Sequence, residues 1–299
     1  MVKRKQQKQN KSDWYQKAIY FFIAVIAVES FFLIASCQKK VERPSLSGGG
    51  GQKVKITEAP EPKPQKPQPK KPFTQEEQKG QGRIAIVLDD WGYSVRNLDF
   101  VTQISEPLTL AILPNHPYSS AVAKAAIELK KEAILHLPLE PHQENKYHLE
   151  PDTILSALPK AEVLKILASD IKSVPGIKGV NNHMGSAATE NKPLMKVIFY
   201  ELKKRKLYFL DSFTGKTVCK ELAKEIGLLY ARRQVFLDNK NEPSYILGQI
   251  ELLAKIAKQT GYAIGIGHDR PKTLEVLVKA IPDLKRRGYS FVFASDLAN

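Results

Sequence analysis

The chain has 299 residues, 42% of them hydrophobic and 8% aromatic, which is enough apolar material for one large core and excludes a wholly disordered protein. The formal net charge of +15 resembles that of a nucleic-acid binder until it is divided along the chain. Residues 1–81 hold 16 Lys/Arg against 7 Asp/Glu, a balance of +9, and leave +6 for residues 82–299, where no nucleic-acid motif occurs.

The charged tail has three parts. Residues 1–17 carry six basic residues against one acid, Asp13. The run AIYFFIAVIAVESFFLIASC (18–37) then gives about 20 mostly apolar residues, the length that crosses roughly 30 Å of hydrocarbon as a helix. A basic flank before such a segment keeps the N-terminus in the cytoplasm and exports the remainder of the chain. Glu29 lies in its middle, where an ionised carboxylate costs on the order of 3 kcal/mol. The ending IASC (34–37) also has the form of a bacterial lipoprotein signal, in which Cys37 would be lipidated and become the new N-terminus. Whether an uncleaved transmembrane anchor or a lipid anchor, the segment is expected to tether the rest of the chain outside the cytoplasm, on the periplasmic or cell-surface side. Residues 38–81, with SGGGGQK and APEPKPQKPQPKKP, form a Gly/Pro/Lys-rich linker that cannot build a core. The single cysteine beyond the tail, Cys219, excludes an internal disulfide and is expected to be packed.

From residue 82 to residue 299, short apolar runs alternate with amphipathic ones. The expected strands are IAIVLDD (84–90), LTLAILP (108–114), AILHLPL (133–139), GVNNHMG (179–185), LYFLDSF (207–213), ARRQVFLD (231–238), YAIGIGH (262–268) and SFVFAS (290–295). Helical periodicity falls on 120–132, 161–174, 192–206, 243–260 and 272–288. Strands alternating with helices pair in parallel through crossovers, and seven or eight such units in about 215 residues predict an α/β fold closed into a distorted barrel rather than an open sheet.

Six of the expected strands end on, or run into, a residue able to bind metal or move a proton: Asp89 and Asp90, His136, His183, Asp211, Asp238 and His268. In a parallel barrel the C-terminal strand ends converge on one face, so these side chains are expected to share a pocket. Each has a plainer role when taken alone. One Asp at a strand end often caps the next helix, one buried His is usually a hydrogen-bonded core residue, and Asp238 opens DNKNEP, which reads equally well as a loop. His142 and His148, in EPHQENKYHLEPD, are expected to face solvent, and His116 stands nearer the pocket. Recurrence at equivalent strand ends is what favours a site.

The segments IAIVLDDWGYS, AILHLPLEP, GVNNHMGS, LYFLDSF and IGIGHDRPKTLEVL, in this order, resemble the divergent polysaccharide deacetylases, a distant branch of the polysaccharide deacetylases. The resemblance spans nearly all of residues 82–299 and none of the tail. It implies a distorted barrel of about seven strands and a metal-dependent hydrolase acting on an acetylated envelope polysaccharide. In mainstream members the first of the paired acids is the general base and the second a metal ligand, which implies Asp89 as base and Asp90 as ligand. The mainstream HxxxH is HLPLE in this chain, so His136 matches the first histidine while Glu140 stands at the second. NNHMGS supplies His183 as the remaining ligand, His268 matches the late histidine that acts as general acid, and Asp211 would orient a histidine.

The chemistry asks for this set: a metal to polarise the acetyl carbonyl, a base for water, and an acid for the departing amine or alkoxide. Asp/His/His ligation suits Zn²⁺, with Co²⁺, Ni²⁺ or Fe²⁺ as other divalent candidates. A degenerate barrel that binds envelope glycans without hydrolysing them is the competing reading, favoured by the missing second histidine of the HxxxH pattern.

Overall fold

The computed structural model of the protein describes residues 80–143 and 148–299. The basic segment, the expected anchor with Cys37, and the linker up to residue 79 lie outside the described residues. Among the described residues no helix is long and apolar enough to cross a membrane.

Strands and helices alternate along the chain: β1 (Arg83–Trp91), α1 (Leu98–Thr102), β2 (Thr109–Ile112), α2 (Ser119–Glu128), β3 (Glu132–Leu139), α3 (Lys160–Ser173), β4 (Gly179–Met184), α4 (Lys192–Lys204), β5 (Tyr208–Asp211), α5 (Cys219–Ile226), β6 (Tyr230–Arg232), β7 (Val235–Phe236), α6 (Pro243–Thr260), β8 (Tyr262–His268), α7 (Pro271–Arg286) and β9 (Ser290–Phe291). Every strand pair is parallel. The sheet runs β6-β5-β4-β3-β2-β1-β8-β7, with β9 added against the start of β1. Local chemistry sets the helices. At α4, Asn191 accepts a hydrogen bond from the Leu194 amide, Pro193 sits in the first turn, and Leu194, Met195, Ile198, Phe199 and Leu202 form one buried stripe.

The sheet is curled rather than closed, and its main path has eight strands where about seven were expected. The expected strand 231–238 is broken in two. Its middle residues leave the ladder: the Arg233 amide donates to Asp211 O on β5, and the Gln234 amide donates to Ile264 O on β8. These two residues carry the chain across an open seam between β6 and β7.

Alternation along the strands makes two apolar layers. Ile84, Ile86 and Leu88 of β1, and Leu135, Leu137 and Leu139 of β3, pack outward against the helices with Phe199 and Phe209. Ala85, Val87, Ile134, Leu210, Ile264 and Ile266 fill the concave interior, together with Ala294 and Leu297 from the C-terminal segment. The C-terminal strand ends lie at the far end of that interior, and the site is built there.

Candidate metal centre and active site

Alternation places Asp89 on the interior face of β1, in line with Ala85 and Val87, where it is 3% exposed. The same rule would send Asp90 to the helix side. Instead Asp90 takes a left-handed φ of 67°, and the register with β2 shifts between Leu88 and Trp91. This irregularity turns the second acid toward the first, and Asp is among the few residues that adopt the conformation readily. That local turn lets two adjacent carboxylates serve one site.

His136 on β3 and His183 on β4 are also interior residues, and they meet Asp90. Asp90 Oδ1 lies 3.3 Å from His136 Nε2 and 3.4 Å from His183 Nδ1, and the two ring nitrogens are 3.1 Å apart. Asp90 Oδ1 is buried, yet no donor is aligned with it as in a hydrogen bond, and His183 Nε2 is likewise without a partner. The three side chains form a group able to hold a metal ion. Donors bonded to one ion at about 2.0–2.2 Å in a tetrahedral arrangement lie roughly 3.3–3.6 Å apart, close to the spacing found. The donor set of two imidazoles and a carboxylate fits a borderline divalent metal.

Asn181, also on β4 and completely buried, sets the state of this group. Its Oδ1 is 2.8 Å from His136 Nδ1, and its Nδ2 donates to Asp89 Oδ1 at 2.9 Å and to Ser212 Oγ at 3.3 Å. A carboxylate only accepts, so the amide must turn its NH₂ to Asp89 and its oxygen to His136. In the neutral ring His136 therefore carries its proton on Nδ1, so that Nε2, which faces Asp90 and His183, is the nitrogen able to ligate. Nothing in the strand-end pattern singled out Asn181; its spacing of two residues from His183 was the available signal.

Across the pocket, Asp238 holds His268. His268 Nδ1 is 2.7 Å from Asp238 Oδ1, the His268 amide donates to Asp238 Oδ2 at 2.9 Å, and Thr273 Oγ1 donates to the same oxygen at 2.7 Å. Gly267 makes room for this arrangement, because a Cβ there would lie 2.9 Å from Thr273 Cγ2 and 3.6 Å from Asp238 Oδ2. Asp238 is thus the carboxylate that orients a histidine. Asp211, expected in that role, shares the outward face of β5 with Phe209. Its oxygens accept from the Phe213 amide and Tyr230 OH, and among the described residues no histidine bonds it.

The remaining candidates lie apart. Glu140 Oε2 accepts from the Ser156 amide at 2.5 Å and does not join the Asp90 group. His116 pairs with Glu150 at 2.8 Å and packs on Tyr93, whose hydroxyl also bonds Glu150. His142 is exposed and pairs with Glu190, and His148 is exposed. Cys219 is buried and free.

The electrostatics separate the two acids. Burial raises Asp89 above the usual carboxylate range, with His136 and His268 opposing it. Burial acts on Asp90 too, but His136 and His183 outweigh it and hold this carboxyl far below that range. Burial pushes His136 down, yet the charge of Asp89 and the contact with Asp90 reverse this and raise it to about 9. Asp238 raises His268 in the same way, against burial. Burial and neighbouring charge thus drive the two adjacent carboxyls apart.

Known proteins share this arrangement of sequence and fold. The family model for divergent polysaccharide deacetylases matches residues 86–298. The chain is 34% identical over 219 residues to the uncharacterised protein YibQ of Escherichia coli K12, covering 73% of this chain and 68% of that one. It is also 34% identical over 205 residues to an uncharacterised protein of Haemophilus influenzae, covering 68% and 72%. A crystal structure of an uncharacterised protein from Agrobacterium tumefaciens C58 superposes with a TM-score of 0.68 at 23% identity, over 73% of this chain and 89% of the other, and so shares the fold. With the match running through every segment that builds the site, the chain belongs to the divergent polysaccharide deacetylase family.

Proposed function

We propose that residues 82–299 form a metal-dependent hydrolase that removes acetyl groups from an envelope polysaccharide, on a domain tethered by residues 18–37 outside the cytoplasm. The observation that carries this reading is the convergence of Asp90, His136 and His183 within hydrogen-bond distances, next to a second carboxylate and opposite an oriented histidine. Asp90, His136 and His183 would hold the metal, with Zn²⁺ the best match to the donors. Bound there, the ion supplies Lewis acidity toward an acetyl carbonyl and a water molecule.

The chain's own residues do the rest. Asp89 is held on Oδ1 by Asn181 while Oδ2 faces the metal ligands, 3.7 Å from His136 Nε2, so it is placed to take a proton from water. His268 has its Nδ1 fixed by Asp238, which leaves Nε2 to give a proton to the departing amine or alkoxide.

Asp89→Asn is expected to keep the metal and lower acetate release by at least about 100-fold, whereas His183→Ala is expected to lose the metal as well. The measurements are metal content by mass spectrometry after dialysis and acetate released from acetylated glycans. Glu140, engaged with the Ser156 amide, supports the alternative of a non-catalytic glycan binder. That alternative requires glycan affinity without acetate release in the wild type. Loss of fold in every variant would refute both readings.

A further inference from the structure

The seam between β6 and β7 opens into a shallow, solvent-open cleft with a volume of about 690 Å³. Lys216, Arg232 and Arg233 line it together with Phe213, Thr214 and Gln234, and no acidic residue does. None of the three cations forms an ion pair among the described residues. Arg233 is half-buried. Its Nε donates to Ser212 O and its Nη2 to Phe213 O, both at 2.7 Å, and its guanidinium lies 3.5 Å over the Phe236 ring. Burial lowers Arg233 to about 10, against the opposing charges of Asp211 and Asp89, so it is still cationic at neutral pH. Arg232 lies over Phe213 at 4.4 Å, and Lys216 is exposed in the loop after β5.

This cleft adjoins the candidate active site. Phe236, which carries Arg233 on one side, stacks at 12° on His268, with ring centroids 6.2 Å apart. Ser212, whose carbonyl Arg233 holds, receives the Asn181 amide that also contacts Asp89. A polymer whose acetyl group reaches His268 would therefore lay its neighbouring substituents over the seam. Asp211 and Asp89 act on Arg233 and Asp211 on Arg232 through space, but no acid lines the cleft itself. Its cations can donate to any sugar oxygen, and guanidinium groups bind carboxylate and phosphate oxygens more strongly, in a fork.

We propose that the seam is a binding subsite for a carboxylate or phosphate substituent of the glycan, so that the preferred substrate is an anionic acetylated polysaccharide. The inference rests on the hydrolase reading for its substrate, but its test is binding. Three probes would be titrated calorimetrically into the full chain in neutral detergent with a chelator. One is neutral chitotetraose, one is chitotetraose phosphorylated at O6, and one is the tetrasaccharide of alternating N-acetylglucosamine and N-acetylmuramic acid, which carries carboxylates. At least one anionic probe is expected to bind about tenfold or more tightly than the neutral one, and the tighter of the two identifies the substituent. Raising salt from about 50 to about 500 mM should shrink this preference. The double variant Lys216→Gln/Arg232→Gln, at exposed positions outside the catalytic set, should reduce it to within roughly twofold and leave chitotetraose affinity unchanged. Equal affinity for all three probes, a preference that survives in the double variant, or no binding of any probe would overturn the inference. Absence of acetate release from every probe in metal-loaded protein would instead count against the hydrolase reading, leaving the charge preference to be judged on its own.

Discussion

Asp90 holds a left-handed backbone that costs a residue with a side chain roughly 1 kcal/mol, and it does so where the strand would otherwise turn it away from His136 and His183. The strain belongs to the site rather than to the fold. In chelated protein, Asp90→Gly is therefore expected to be about 0.5–1 kcal/mol more stable than wild type by urea unfolding while binding no metal. A destabilised variant would show that Asp90 is a structural residue. Asn181 offers a second test, since it fixes the proton on His136 without being able to reach the ligand position. Asn181→Ala is expected to weaken metal affinity about 10–100-fold in chelator competition, with the sheet intact by circular dichroism. Asp89, Asp90, His183 and His268 were legible because each stands at or next to the end of a strand-like run, and His136 because it interrupts an apolar one. Asp211 shows the limit of that rule. Ending a strand says nothing about which face a residue takes, and counting by two from Phe209 places it among the helices. Asp238 was named among the strand ends but given no role, because DNKNEP, which it opens, reads equally well as a loop.

Among the elements, α3 is fastened to the β2 end of the sheet by a polar clasp. Asn115 Nδ2 donates to Asp170 Oδ1 at 2.8 Å, and the Asn115 amide donates to Ser173 Oγ at 3.1 Å. Asp170 is wholly buried, its Oδ2 has no partner, and burial raises its carboxyl to about 7, with Asp152 adding to the effect and Asn115 opposing it. The folded pKa stands above the unfolded one, so the native state binds the extra proton between them and stability falls as pH rises from about 4 to about 7. Above that window the penalty is complete, up to about 4 kcal/mol at the upper limit. Asp170→Asn should remove this contribution, and urea midpoints at about pH 5 and about pH 8 should then lie closer together than in wild type. An unchanged difference would mean that the buried carboxylate is compensated in the ionised state. The long elements were legible from periodicity, as with α6, expected over 243–260 and found at Pro243–Thr260. The short ones were not. Helix α1 has five residues and β7 has two, too few for a period to show, and their places are set by contacts with distant strands.

For the whole molecule, the two ends of the curled sheet have different tasks. The Asp90, His136 and His183 group occupies the C-terminal end of the strands, whereas the chain terminus packs at the other. There β9 pairs with the start of β1, Ala294 and Leu297 enter the interior, and Tyr230 and Asn299 exchange two backbone hydrogen bonds of 3.1 Å. The plug also carries polar partners. Buried Glu132 accepts from Thr109 Oγ1, Tyr208 OH and the Ser295 amide, and the Ala294 amide donates to Thr109 Oγ1. Removing residues 294–299 would strip two apolar side chains from the interior and one donor from a buried carboxylate. A chain ending at residue 293 is thus expected to lose more than about 4 kcal/mol or fail to fold. Leu297→Ala provides the graded test, with an expected loss of about 2–4 kcal/mol. Because Leu297 lies at the end of the curled sheet opposite His136 and His183, the variant's metal affinity should stay within about twofold of wild type, as expected for well-separated sites. A Leu297→Ala protein that lost stability and metal affinity together would show that the plug and the Asp90, His136 and His183 group form one cooperative unit, and that the division between a stabilising end and a working end does not hold in this curled sheet.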